Sequence, residues 1–274
     1  FSFTQPPDSE TIDGCPVVRL PDSAADVTCF FRAIFDSSFF ESYPNMVHWH
    51  HVISILHLSN KYSIDYLLRR ALVHLSSFYP TTLSEHDNGS MSSLGIRADE
   101  DILPYHIGTV QIAREVNALW ILPAVFHHIA SIDEAIVDKT LQCVGYNVRP
   151  AKLSDGDRIL FLKSSMQISR QENFIMRFLH SPNIIPGCKG GAKCTLERLR
   201  TLADVQISLT EACEALHLLS PCNNLLQDCC RVCQDYSQKA LKEARQVVWD
   251  RLPGFCGLPP WDELQKMKAD ALKA

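Results

Sequence analysis

Apolar residues recur at helical spacing along most of the chain. Between Ser23 and Phe35, the residues Val27, Phe30, Phe31, Ile34 and Phe35 fall on one side, and Ser23 with Asp26 three positions later resembles a capping box. At that spacing Phe30, Phe31 and Phe35 are expected to face the core. A second helix is predicted from His51 to Tyr62 through Val52, Ile55, Leu56 and Ser59, and a third from Asp65 to Phe78 through Leu67, Leu68, Ala71, Leu72 and Leu75. Their short connection, Ser63-Ile64-Asp65, predicts a packed αα-hairpin. The best strand candidate in this part of the chain is Pro16 to Leu20, bounded by Asp13-Gly14 and Pro21-Asp22. A lone strand leaves its backbone groups without ladder partners, so that segment needs a partner strand or is merely extended.

From Glu85 to Asp101 the periodicity lapses into Ser, Gly, Asn, Asp and Glu, which predicts a surface loop between two helical blocks. The second block is expected to be all helix. It runs through Ile107, Val110, Ala113 and Val116, then Leu122, Val125, Phe126 and Ile129, with Pro123 suited to a first turn. Another helix follows Leu153, with Ser154 as its N-cap. A Pro- and Gly-rich break at His180 to Lys193 precedes predicted helices at Leu196 to Ile207, Leu209 to Leu219 and Asp228 to Trp249. Pro259-Pro260-Trp261 opens a short last one. No repeat of solenoid period is present.

Composition narrows the function classes. With 274 residues, 46% hydrophobic and 21% charged, the chain is long enough to bury a substantial core in one or two domains. Its apolar runs are broken within about a dozen residues, short of the roughly 20 that cross a bilayer, so no membrane association is expected. A net charge of −5 with scattered basic residues disfavours nucleic acid as a partner. The eleven cysteines are odd in number, and Cys29, Cys143 and Cys213 occupy positions where a helix would bury them as small hydrophobes, which points to a reducing, cytoplasmic or nuclear compartment. In that setting the sequon Asn88-Gly89-Ser90 marks a loop rather than a glycan.

The chemically sharpest constellation is Cys188-x5-Cys194 in the Gly-rich break together with Cys230-x2-Cys233 at the start of a late helix. Four thiolates on two short hooks suit one closed, structural zinc site. The five-residue spacer is longer than usual, Cys222 or Cys229 is an alternative ligand, and unpaired structural cysteines or disulfides are the competing readings. Gly187 to Cys194 imitates a phosphate loop but carries Ala192 and Cys194 where Gly and Ser or Thr are needed, and prolines precede it where a strand should be. His48, His50 and His51 beside Trp49, and His127 with His128, form no H-E-x-x-H pattern and are expected at the surface or at helix ends. Neither a G-x-S-x-G elbow nor a Cys/His pair is identifiable, so catalysis has no residue to rest on and no enzyme is expected.

Asp13-Gly14-Cys15-Pro16-Val17-Val18-Arg19-Leu20-Pro21-Asp22, followed by the Phe30 to Phe35 helix, resembles the middle of the BTB/POZ proteins abundant in mushroom-forming fungi. Leu58-Ser59-Asn60-Lys61-Tyr62, the Leu72 helix and Phe78-Tyr79-Pro80-Thr81-Thr82-Leu83 are similar to that family's helical end of the BTB fold. Ala113-Arg114-Glu115, Ile121-Leu122-Pro123-Ala124, Cys230-Arg231-Val232-Cys233, Val248-Trp249-Asp250-Arg251-Leu252-Pro253 and Gly257-Leu258-Pro259-Pro260-Trp261 extend the likeness over almost the whole chain. The resemblance implies a mainly α protein: the C-terminal part of a BTB/POZ-like α/β domain at 1–84, a helical region at 102–180 and a cysteine-containing helical region at 181–274. It also implies that the front strands and helix of the BTB domain, which supply the sheet and much of the dimer contact, precede Phe1. The function implied is non-catalytic protein–protein interaction, as an adaptor or scaffold. Its partners would be other proteins, a second copy or a cullin ubiquitin ligase. The competing reading is a zinc-stabilised transcription or chromatin regulator.

Overall fold

The computed structural model describes residues 10–88, 96–97, 103–130, 135–142, 144–146, 149–212 and 226–273, and these are mainly helical, as the periodicity predicts. At the start, β1 (Thr11–Ile12) pairs antiparallel with β2 (Cys15–Pro16) across Asp13 and Gly14, both at positive φ. An Asp-Gly pair suits such a turn because both central residues need the left-handed region. The predicted strand from Pro16 to Leu20 is thereby corrected. Its ladder closes with the Val17 amide on the Glu10 carbonyl, and Val18 and Leu20 are exposed.

Helix α1 (Ala24–Phe35) forms where predicted, but its buried stripe is Asp26, Phe30 and Ala33, while Phe31 and Phe35 are 43% and 83% exposed. The expected core role of those two phenylalanines is wrong. The helix is turned so that Asp26 faces α2 (Trp49–Tyr62), where it accepts a hydrogen bond from the Ser54 hydroxyl. Ser23 makes no side-chain cap bond. Helix α2 buries Val52, Ile53, Ile55, Leu56 and Leu58 because it lies against α1, α3 (Asp65–Phe78) and α5 (Leu103–Glu115). Ser63, in the left-handed conformation at φ 56°, ends α2 and turns the chain into α3, which completes the predicted hairpin.

Two further readings are corrected. Glu85 to Asn88 belong to the short helix α4 (Leu83–Asn88), and the chain continues into β4 (Ile96–Arg97), which pairs in parallel with β3 (Val47–His48). Residues 89–95 and 98–101 of the predicted loop, with the rest of the sequon, lie outside the described residues. The second block is not all helix either. A single 3-10 turn (Leu119–Ile121), α6 (Leu122–Ala130) and α7 (Ala135–Leu141) lead to a hairpin of β5 (Val144–Tyr146) and β6 (Arg149–Ala151). Ser154 caps α8 (Asp155–Met176) as predicted, accepting from the Asp157 amide at 3.1 Å.

Helix α9 (Ala192–Ala212) is continuous through the predicted break near Ile207, and 213–219 of the second expected helix lie outside the described residues. Helix α10 (Arg231–Phe255) packs on α8 and α6, and α11 (Trp261–Leu272) returns to the 3-10 turn and to α3. One hydrophobic cluster draws buried residues from Phe30 to Leu264. Its late members are fastened to its early ones by polar contacts. The buried Arg245 donates through Nη1 and Nη2 to both carboxylate oxygens of Asp87, the first at 2.9 Å. Trp249 Nε1 and Gln265 Nε2 both point at the Thr81 carbonyl, at 3.4 and 3.3 Å. The Trp249 and Trp261 rings stack at 5.6 Å, and Trp261 Nε1 donates to the Trp249 carbonyl at 2.8 Å.

His127 and His128 lie in the last turn of α6, at the helix end expected of them, but inside this packing, with His127 buried. His106 stacks on His128 at 5.3 Å and lies 2.7 Å from the buried Tyr79 hydroxyl, while His86 faces His127 and Trp249. A neutral imidazole packs like a small aromatic ring with one donor and one acceptor, so it suits an interior that a charged one does not. Burial pushes the pKa values of His86, His106 and His127 below normal, and that of His128 down to about 4.

The unfolded chain therefore takes up protons that the folded chain refuses. Stability is full above pH 6.5 and falls as pH drops from there towards about 4. Urea midpoints measured across that range should decline steeply, and a flat profile would contradict a buried histidine cluster. Arg245→Ala removes both guanidinium bonds to Asp87, leaving that carboxylate only His86 at 3.4 Å, and should cost about 3 kcal/mol in urea unfolding at neutral pH.

Candidate metal centre

The break after α8 is shaped by backbone that only special residues tolerate. Gly187 at φ 79° and Gly191 at φ 52° bend the chain, and the Cys188 amide donates to the Ile185 carbonyl at 2.9 Å. Arg198 of α9 then reaches back under the loop, donating to the carbonyls of Ser181 and Asn183 at 2.7 and 2.6 Å. Buried to 2% exposure, that guanidinium holds the loop on the first turns of α9. Cys188 thus stands just before α9 and Cys194 in its first turn.

The second hook is built on α10. Cys230 is its N-cap residue and Cys233 lies in its first turn, with the Cys233 amide on the Cys230 carbonyl at 2.9 Å. Gln234 fixes the preceding turn by donating to the carbonyls of Gln227 and Cys229 at 2.8 and 2.9 Å. Both hooks consequently end at helix N-termini, where positive dipole ends favour thiolates.

Cys188, Cys194, Cys230 and Cys233 meet, each offering its sulfur within 4.8 Å of the others. All four are free thiols, and the Cys188 and Cys230 sulfurs are 3.8 Å apart. Sulfurs held about 2.3 Å from one tetrahedral ion lie about 3.8 Å from one another, so the spacing suits a metal. A disulfide needs its sulfurs at about 2.05 Å. The amides of Cys233, Lys189 and Gly190 pull the Cys230 thiol down to about 6, while burial pushes the Cys233 thiol up. Cys194 also accepts from the Cys230 amide at 3.3 Å. Such N–H groups aimed at sulfur favour the negative form that a cation requires.

The long spacer of the first hook has a local cause. A methyl group at position 190 would overlap the Cys194 sulfur, so Gly190 lets the backbone pass directly over that ligand. Cys229, the alternative ligand, is buried beside the group but turns its thiol to the Cys194 carbonyl at 3.6 Å, and burial raises it to about 12. Cys143, Cys213 and Cys222 lie outside the described residues. Cys29 is half-buried on α1, and His50 and His51, in the first turn of α2 and so at a helix end as expected, are half-buried beside it. Twenty residues lie between Cys29 and His50 in the chain, and no local motif links them.

Gly190→Ala should displace the Cys194 sulfur and weaken metal binding at least about tenfold in a competitive chelator titration. Gly156→Ala, where an added methyl meets only Ser154 Oγ at 3.9 Å, should leave it unchanged. Equal affinities for the two variants would separate Gly190 from the centre. Compared with known proteins, the chain matches no family model, no curated protein and no solved structure, so the role of the four thiols follows from their own chemistry.

Proposed function

We propose that the chain is a non-catalytic protein-interaction protein, an adaptor or scaffold, whose C-terminal helices are held by one structural zinc ion on Cys188, Cys194, Cys230 and Cys233. The convergence of four free thiols from two helix starts carries this reading. When bound, zinc would supply four ligand bonds that tie α9 to α10. That tie matters because, across 192–206 of α9, only Cys194 and Arg198 are fully buried. An amphipathic helix with so little fully buried surface needs another attachment. Four cysteine ligands close the coordination sphere, which argues for a structural role over a catalytic one.

The interaction half of the proposal rests on α1. Phe31 and Phe35 have tilted rings 6.2 Å apart and stand exposed, and Tyr62, 38% exposed, lies 6.0 Å from the Phe30 ring of the same helix. Exposed aromatic residues of this kind mark contact surfaces. The resemblance to fungal BTB/POZ proteins supports the same reading and suggests a second copy or a cullin ubiquitin ligase as partner. Among the described residues no helix is long and apolar enough to cross a membrane.

Elemental analysis of wild type and of Cys230→Ser/Cys233→Ser tests the metal: the double variant should carry about one zinc fewer per chain and melt lower. A chelator should lower the wild-type melting point and leave the variant's alone. Equal zinc in both proteins would remove the structural ion. Sedimentation equilibrium and calorimetric titration with purified cullin test the partner. Association with either, weakened by Phe31→Ser/Phe35→Ser at unchanged zinc content, is expected. Absence of both, steeply salt-dependent DNA binding or reproducible turnover would overturn the adaptor reading.

A further inference from the structure

A second set of soft donors lies where α1 packs against the start of α2. Cys29, His50 and His51 each bring one ligand atom within 4.8 Å of the other two. Neighbouring residues on a helix normally diverge by about 100°. Here both imidazoles nevertheless reach the same thiol, because α1 packs alongside α2. The two rings are 4.1 Å apart, and His51 is braced by Phe39 at 4.4 Å. A shift of about 1 Å brings three such atoms to the spacing they have around one tetrahedral ion.

One thiol with two imidazoles is the donor set of zinc-class ions, and three protein ligands leave a fourth position open. We propose that Cys29, His50 and His51 form a second metal site, taking one thiophilic divalent ion of the zinc class with water as its fourth ligand. The Cys29 thiol gives its proton to solvent and binds as thiolate, while each imidazole binds through a neutral ring nitrogen. Arg32 opposes the incoming charge, but its guanidinium lies 4.0 Å over the Phe39 ring, and the thiolate offsets one positive charge of the ion. No residue of the four-cysteine centre takes part, so the two sites stand or fall separately.

Cobalt(II) titration of the full chain, followed by thiolate-to-cobalt charge-transfer absorption, tests the site. Wild type should show, besides the four-thiolate signal, a second event with about a quarter of its intensity, from one thiolate in place of four. Cys29→Ser should abolish that event, and His50→Gln should weaken it at least about tenfold. The four-thiolate band in the same samples reports that the variants remain folded. A second event that survives in Cys29→Ser, or no second event in wild type, overturns the site. A one-thiolate event without any four-thiolate signal would sink the structural-zinc reading and leave this one standing.

Discussion

A guanidinium inside a protein has to meet its counter-charge, and Arg245 meets Asp87 across 158 residues of chain. Burying that charge alone would cost several kcal/mol, so α10 docks only in the register that delivers both carboxylate oxygens. Once α10 is placed, Trp249 lies against His86 and the Thr81 carbonyl, and Trp261 stacks on Trp249. The return of α11 onto α3 follows from that stack. The same polar anchor thus sets the position of the two helices that close the hydrophobic cluster. The histidines packed around α6 stay neutral chiefly because they are buried.

The cysteine group governs a different part of the molecule. Helix α9 fully buries only Cys194 and Arg198 across 192–206, and Arg198 spends its hydrogen bonds on the loop before the helix. The proposed zinc ion would add a tie from that loop and α9 to α10, beside the partly buried Leu202, Val205 and Val232. Ordinary apolar burial holds α2, α3, α5 and α6, whose faces are filled with aliphatic side chains. If the thiol hooks hold zinc as proposed, the two regions respond to different insults, acid for the histidine-rich core and chelation for the hooks.

How much of this was legible depended on whether a feature was local. The helices α2 and α3, the Ser154 cap and the first-turn Pro123 follow from spacing and capping chemistry within a few residues. The four cysteines were legible as two hooks, because each hook is local and only their meeting is not. The rotation of α1 was not legible. It is set by the hydrogen bond from Ser54 to Asp26, which places a carboxylate on a stripe that hydrophobicity assigns to phenylalanine. The β5–β6 hairpin and the two-residue β1–β2 ladder are shorter than any periodicity can register. His127 and His128 fall at the helix end expected of them, but their aromatic packing on His86 and His106 joins residues distant in the chain, which no local pattern encodes. Cys29, His50 and His51 come together only through packing of two helices, which no motif encodes.

The order of the elements along the chain matters for a ribosome as well as for a finished fold. Thr81 and Asp87 emerge from the exit tunnel more than a hundred residues before Trp249 and Arg245 arrive to cover them. Closing a loop of 158 residues costs about 2 kcal/mol more than closing one of about ten. The nascent α2–α3 hairpin therefore waits with part of its apolar surface uncovered while the rest is translated. Premature termination anywhere before Trp261 would leave that surface open, a natural target for chaperone capture and quality control.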